Sequence, residues 1–335
     1  MRKYHIFKIT AFLVVSTLML SACASTSADE AVEVVETTEI STVEITDIHG
    51  TVTVPVNPQN VVALDNRTFE TLSDWGIELA AAPKPLLPPT SPYLTDDSVQ
   101  DIGNHREPNL ELLAAVDPEL VIVGQRFANY YEDIKALVPQ AAVIDLNFDV
   151  SEEAAAPGEN LVNGLKNSTT ALGHIFDKSE EAEALIADLD QAIADVKDAY
   201  NGEDSVLSVV VSGGNIGFSA PGSGRVWGPM YEIFGWKSAL EVEGATSDHK
   251  GDDISVEAIA QSNPDWIFVL DRDAATATES DAVPAQDVID HSPALQNVTA
   301  VSEGQIVYAP KDTYINESIQ TYKALFEDLA NALAN

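Results

Sequence analysis

Arginine is the scarce residue of this chain, and its placement is the first chemical signal. Beyond residue 22 there are five: Arg67, Arg106, Arg126, Arg225 and Arg272. Arg126 comes three residues after the apolar run 120–123, and Arg272 two residues after the run 266–270. Arg67 lies just past 61–64, and Arg225 ends the loop-like stretch Ala220-Pro221-Gly222-Ser223-Gly224-Arg225. A guanidinium is a planar fork that donates bidentately to oxyanions. Arginines repeated at the ends of buried strands therefore predict an anionic ligand. Aromatic residues crowd the same segments: Phe127, Tyr130 and Tyr131 after Arg126, Phe218 and Trp227 around Arg225, and Tyr314 after Lys311. Aromatic walls beside cations suit a flat, anionic, partly apolar molecule.

Other chemistries find less support. The histidines beyond residue 22 are His49, His105, His174, His249 and His291, none with an i,i+4 partner or a cysteine neighbour, so no zinc motif is present. His249, in Ser247-Asp248-His249-Lys250-Gly251, reads either as solvated surface or as a ligand to a bound metal. There is no Gly-X-Ser-X-Gly, no phosphate-binding loop and no dinucleotide fingerprint. A secreted enzyme would need a base-activated nucleophile or a paired acid and base, and no constellation has such spacing. A bare-metal receptor using His105, His249 and carboxylates would leave the arginines unexplained and repulsive.

The elements that must hold the arginines alternate. The β-branched runs 61–64, 120–123, 141–146, 206–211, 266–270 and 306–308 predict buried parallel strands. The stretches 69–75, 110–116, 130–137 and 230–234 between them read as helices. Such alternation implies α/β layers. From 160 to 200 there is no strand signal. Ala182, Leu185, Ile186, Leu189, Ile193 and Val196 recur at helical spacing, predicting one long amphipathic helix, bent or interrupted around Gly173. An internal repeat orders the whole: residues 110–123 align without a gap on residues 256–269. Each copy has a helix with glutamate second (Glu111, Glu257), then Asp117-Pro118-Glu119 or Asn263-Pro264-Asp265, then a strand. The proline stops the helix. Two copies imply two similar lobes, with a ligand cleft between them. The predicted class is α/β: two Rossmann-like lobes joined by a single long helix. The expected division is residues 45–160, connector 161–203, and residues 204–335.

The start of the chain reads as an export signal over residues 1–22. Arg2, Lys3 and Lys8 accompany an apolar run of residues 11–20, too short to span a bilayer. Leu20-Ser21-Ala22-Cys23 is a lipobox, with Cys23 the only cysteine, so the expectation is lipidation there and no disulfide. Residues 23–44 are expected to be an acidic disordered tether. The chain has 17 Lys+Arg and 54 Asp+Glu; removing the three basic residues of the signal leaves 14 against 54, a net charge of −40. That excludes nucleic acid and electrostatic binding to anionic lipid.

These residues resemble a known family. The lipobox, the 61–64 strand, Asp101-Ile102-Gly103 before Glu107-Pro108-Asn109-Leu110-Glu111, and the two Asx-Pro-acidic strand starts resemble the helical-backbone solute-binding proteins of siderophore and vitamin B12 importers. The likeness runs over residues 45–334. Pro83-Lys84-Pro85, Gly124-Gln125-Arg126, Pro221-Gly222-Ser223 with a nearby arginine, His249 before Gly251, and Phe268-Val269-Leu270-Asp271-Arg272 with a late tyrosine resemble the catecholate-siderophore binders. The resemblance implies the helical-backbone periplasmic-binding-protein fold with small hinge motion, and an anionic ferric siderophore as ligand rather than any cofactor. It implies a basic pocket of Arg126, Arg225 and Arg272, with Lys84 a fourth member; Tyr314 and Trp227 complete the expected ligand-binding set. His249 and Tyr314 would sit on iron where the siderophore leaves coordination sites open. Glu111 and Glu257 would dock an ABC permease, which works with its ATPase. The protein would be a monomer, extracytoplasmic and anchored to the cell membrane through Cys23. Ferric citrate or hydroxamate, haem, cobalamin or a bare metal ion are alternative ligands for the same scaffold. There are two departures: Gly224 shifts the loop spacing before Arg225, putting its reach in doubt, and His105 stands where a small residue is expected.

Overall fold

The structure, a computed structural model, describes residues 41–151, 154–276 and 283–334. The expected signal, Cys23 and most of the tether lie outside the described residues. The last part of the expected tether does not: β1 (Thr42–Asp47) pairs antiparallel with β2 (Gly50–Pro55). The alternation that resembled a polar tether is that of a half-buried strand. Ile45 and Val54 enter the core of the first lobe while Thr42 and Glu44 face water.

The first lobe continues with β3 (Val61–Ala63), α1 (Phe69–Asp74), β4 (Ala81–Ala82), β5 (Gln100–Asp101), α2 (Leu110–Ala115), β6 (Leu120–Val123), α3 (Tyr131–Leu137) and β7 (Ala142–Asp145). Its sheet has the order β5-β4-β3-β6-β7, parallel throughout. β3 and β6 are buried on both faces, as their unbroken apolar runs require.

The connector is two helices rather than one: α4 (Pro157–Ile175) and α5 (Ser179–Ala199). The break is at Asp177, in left-handed backbone (φ 53°), with the Lys178 N–H bonded to the Gly173 carbonyl at 2.8 Å. That is a Schellman closure with aspartate in the place glycine usually takes. Gly173 lies inside α4, where a Cβ would come within 2.7 Å of the Ala182 Cβ, so it marks the packing of α4 on α5, not the bend. Helix α4, about 28 Å long for its 19 residues, is the span between lobes. It packs on β1 and, in the second lobe, on α6 (Gly228–Phe234).

The second lobe comprises β8 (Ser205–Ser212), β9 (Asn215–Phe218), α6, β10 (Lys237–Ser238), β11 (Asp252–Asp253), α7 (Val256–Ser262), β12 (Trp266–Asp271), α8 (Arg272–Thr276), α9 (Ala285–Asp290), α10 (Thr299–Glu303), β13 (Ile306–Tyr308) and α11 (Ile319–Leu333). Its sheet runs β11-β9-β8-β12-β13, with β10 also paired to β8. β8, β12 and β13 are parallel, while β9 and β11 run antiparallel to their neighbours.

The repeat is structural. Asn109 caps α2 by accepting from Leu112 N–H at 3.0 Å, and Ser255 caps α7 by accepting from Ala258 N–H at 3.1 Å. Each helix ends at an Asx in left-handed backbone before the proline, Asp117 (φ 48°) and Asn263 (φ 45°). The acidic residue after each proline ties down the neighbouring central strand: Glu119 accepts from Gln59 N–H at 2.7 Å and Asp265 from Ser205 N–H at 2.7 Å.

Candidate functional site

The repeat places Arg126 and Arg272 at matching points. Arg126 lies in the 3₁₀ segment Gln125–Tyr130 that leaves β6, and Arg272 opens α8 as it leaves β12. Arg67 leaves β3 beside them. These are carboxyl ends of parallel strands, where α/β sheets bind ligands. Arg225 comes from the loop after β9 and does reach the others. Gly224 makes this fit, since a Cβ there would lie 2.5 Å from the Ala220 nitrogen. The tight loop holds Val226 in left-handed backbone (φ 64°), and Gln125 is also left-handed (φ 31°). For a β-branched residue that is strain, held in place by its surroundings and sitting next to a site residue.

At the centre is a residue that sequence reasoning missed. Glu317, in the loop between β13 and α11, is buried and takes cations from both lobes. Its Oε1 accepts from the Nη2 of Arg225, its Oε2 accepts from Gln125 Nε2 at 2.9 Å, and the Arg67 Nε lies 3.7 Å from Oε2. Burial pushes the Glu317 carboxyl up, but the charges of Arg225, Arg67 and Arg126 and the Gln125 hydrogen bond outweigh it and hold it below the usual carboxylate range.

Arg67 is itself supported from beneath. Its guanidinium carbon lies 3.7 Å from the centroid of the Phe148 ring, and that ring lies against Gly164 of α4, where a Cβ would be 2.1 Å from Phe148 Cγ. The second missed residue is Asp65, wholly buried, whose Oδ1 accepts the Arg67 N–H at 3.2 Å. Burial raises its pKa to about 6, against the lowering effect of Arg67. No composition signal marks Asp65 or Glu317; each is one of many carboxylates in an acidic chain.

The outer arginines are less committed. Among the described residues no hydrogen bond or ion pair engages the Arg126 guanidinium. Burial, then the charges of Arg225 and Arg67, hold it below the usual arginine range, though still protonated at neutral pH. Arg272 donates to Ser212 Oγ at 3.2 Å and lies 4.0 Å from Asp273. Arg225 and Arg272 both stand over the Tyr314 ring, 4.5 and 5.2 Å from its centroid. The Nε groups of Arg67, Arg126, Arg225 and Arg272 are all buried without a hydrogen-bond acceptor among the described residues. A cavity of about 290 Å³ opens beside Glu317, walled by Arg67, Phe148 and Gln125 from the first lobe and Arg225, Glu317 and Tyr322 from the second; Arg126, Arg272 and Tyr314 lie outside its wall. Larger cavities of about 380 and 540 Å³ lie elsewhere and contain no arginine.

Not every expected residue joins this cluster. Trp227 is fully buried and packs on Phe268 at 5.5 Å, so it is core of the second lobe. Its position beside Arg225 in sequence reflects a chain that turns inward after the loop. The Lys84 ammonium is spent on the Asp96 carbonyl, at 2.7 Å. His249 is exposed, 3.9 Å from Asp248, and is not brought to Tyr314. Among the described residues no three His, Cys, Asp or Glu side chains converge as a metal site. His105 is half-buried, with Nδ1 unpartnered; burial and the charges of Arg126 and Arg106 hold it below the usual histidine range. Glu111 and Glu257 are exposed at the second position of their helices, one on each lobe.

The lobes are hydrogen-bonded beside the site. Glu70 of α1 accepts from Asn316 Nδ2 at 2.9 Å, from Thr321 Oγ1 at 3.2 Å and from Ser318 Oγ. Asn66 donates to the Ile315 carbonyl at 3.0 Å, and Thr71 donates to Gln320 at 2.9 Å.

A family model described as periplasmic binding protein matches residues 61–313, both lobes and the connector together. The chain belongs to the periplasmic binding protein family. This periplasmic binding protein is 28% identical over 311 residues to the petrobactin-binding protein YclQ of Bacillus subtilis, an alignment covering 92% of each chain. It is 29% identical over 283 residues to the ferric-anguibactin-binding protein FatB of Vibrio anguillarum, covering 84% of each. The crystal structure of the petrobactin-binding protein superposes with a TM-score of 0.71 at 25% identity, covering 88% of this chain and 99% of that one. The expected α/β class, with lobes joined by one helix, and the family resemblance are borne out; the helical stretch expected over 161–203 is divided into α4, which spans the lobes, and α5.

Proposed function

We propose that this periplasmic binding protein is the receptor of an ABC importer and captures an anionic ferric siderophore, of catecholate type, in the arginine-lined cleft. The observation that carries the reading is the convergence of Arg67, Arg126, Arg225 and Arg272 from four strand ends and loops, with no hydrogen bond or ion pair on the Arg126 guanidinium among the described residues. A ferric catecholate presents oxygen acceptors and negative charge to guanidinium donors. The relatives named for petrobactin and ferric anguibactin support a ferric chelate as the ligand class. The work is reversible capture, with no bond made or broken. Cys23 carries the lipid that keeps the receptor at the outer face of the membrane, and Glu111 and Glu257 dock one lobe each to the permease.

The test is quenching of intrinsic tryptophan and tyrosine fluorescence by a ferric tris-catecholate, a ferric bis-catecholate, ferric citrate, a ferric hydroxamate, haem and Zn²⁺. Saturable quenching by catecholates, lost in Arg126→Ala and Arg272→Ala, is the expected result. A response to haem or Zn²⁺ alone would sink it.

A further inference from the structure

The arginines of the cleft form two tiers, and the difference between them is Glu317. Arg67 and Arg225 form the inner tier, both on its carboxylate. Arg126 and Arg272 form the outer tier, the first with no ion pair among the described residues and the second only 4.0 Å from Asp273. The carboxylate is buried and built in from three directions: Gln125 and Arg67 from the first lobe and Arg225 from the second. In effect an anion already occupies the deep end of the anion site.

We propose that Glu317 is an internal counter-anion that sets the charge selectivity of the cleft. A small oxyanion entering the cavity meets Arg67 and Arg225 with one of their two charges already cancelled by Glu317, and gains correspondingly less. A bulky polyanion spans past Glu317 to Arg126 and Arg272 and collects their charge as well. The carboxylate also supplies repulsion against anions that would sit deep, the unfavourable element that selectivity requires as much as attraction. Being held well ionised by its arginines, Glu317 does this across the neutral range. This inference rests on the proposed capture of a ferric chelate, but concerns which anions the arginines refuse.

The test compares the wild-type chain with Glu317→Gln, titrated with inorganic phosphate and with a ferric tris-catecholate, and read by thermal shift and fluorescence. Removing one charge beside the ligand should tighten phosphate binding by at least about tenfold, with phosphate then raising the melting temperature where it does not in the wild type. The preference for tris-catecholate over phosphate should narrow accordingly. A folded Glu317→Gln with unchanged phosphate affinity would overturn the proposal and leave Glu317 as a latch between lobes. If Glu317→Gln does not fold, the wild type decides: phosphate that raises its melting temperature and competes with the tris-catecholate overturns the proposal, and phosphate that does neither supports it. A wild type that binds no ferric chelate, with a variant that gains phosphate, would refute the siderophore reading and keep the counter-anion. A wild type that binds the chelate, with a variant unaltered in selectivity, would do the reverse.

Discussion

Across the cleft, Arg67 of the first lobe and Glu317 of the second bring Nε and Oε2 to 3.7 Å with both side chains shut from solvent. The pair joins the lobes at the floor of the site. Its two partners differ in what they can lose, because Glu317 keeps Arg225 and Gln125 if Arg67 is removed.

Arg67 and Arg126 should therefore separate stability from binding. Arg67→Ala leaves a buried carboxylate one cation short, and should cost about 3 kcal/mol, the low end for a broken buried pair because Arg225 remains. Arg126→Ala removes a cation with no ion pair and should change stability by no more than about 1 kcal/mol while weakening ferric-chelate binding strongly. Thermal unfolding and fluorescence titration of the two variants would show the crossover. Equal stability losses would contradict the two-tier arrangement.

Gly164 supports Arg67 through Phe148. In Gly164→Ala the new methyl would lie 2.1 Å from Phe148 Cγ, so the ring must move and carry the guanidinium with it. Overpacking of this kind costs about 1–3 kcal/mol, and chelate affinity should fall with it. Gly164→Ala combined with Phe148→Leu should recover part of the stability but not the affinity, because the aromatic face under Arg67 is gone.

Asp65 should make the protein less stable as pH rises through weak acid. Burial raises its carboxyl from 3.8 to about 6 in the folded chain, so the folded state holds the proton more tightly than the unfolded one. Stability from this group is full below about pH 4 and is lost as pH climbs through about 6. Asp65→Asn removes that loss. At pH 8 the variant should be more stable by roughly 3 kcal/mol, and at pH 4 about equal to the wild type. Denaturant unfolding at the two pH values would measure it, and a gain that does not shrink on acidification would count against the assignment.

Glu111 and Glu257 lie exposed on matching helices, one on each lobe. Glu111→Ala and Glu257→Ala should each cost only about 0.3–1 kcal/mol of helix N-terminal stabilisation and leave chelate affinity unchanged. Uptake by cells carrying the permease should fall for each and further for both. Undiminished uptake in the double variant would remove the docking role.

Much of the architecture was legible in the residues. Buried parallel strands leave unbroken apolar runs, and β3, β6, β7, β8, β12 and β13 fall on the predicted segments. The repeat was legible because a capped helix, an Asx-Pro stop and a strand are all local features. Arginines could be assigned to the strand ends because they are rare in an acidic chain. The hairpin of β1 and β2 was not legible, since its alternation of acidic, threonine and valine residues describes a polar tether as well as a half-buried strand. The break at Asp177 was misplaced to Gly173 because aspartate rarely occupies a helix stop that glycine fills without strain.

What the sequence alone determined, then, is whatever depends on neighbours along the chain: the α/β alternation, the doubled helix–strand unit and the export of positive charge to strand ends. What only the tertiary structure decided is which of those charges are free. Glu317 is separated from Arg67 by 250 positions and from Gln125 by 192, and nothing in its local sequence distinguishes it from other acidic loop residues. Its role comes from being driven into a buried place between the Arg67 and Arg225 guanidiniums, and burial is a property of the folded chain. For the same reason Trp227, adjacent to a site residue in sequence, became core, while Phe148, with no cation near it in sequence, became the platform on which Arg67 rests.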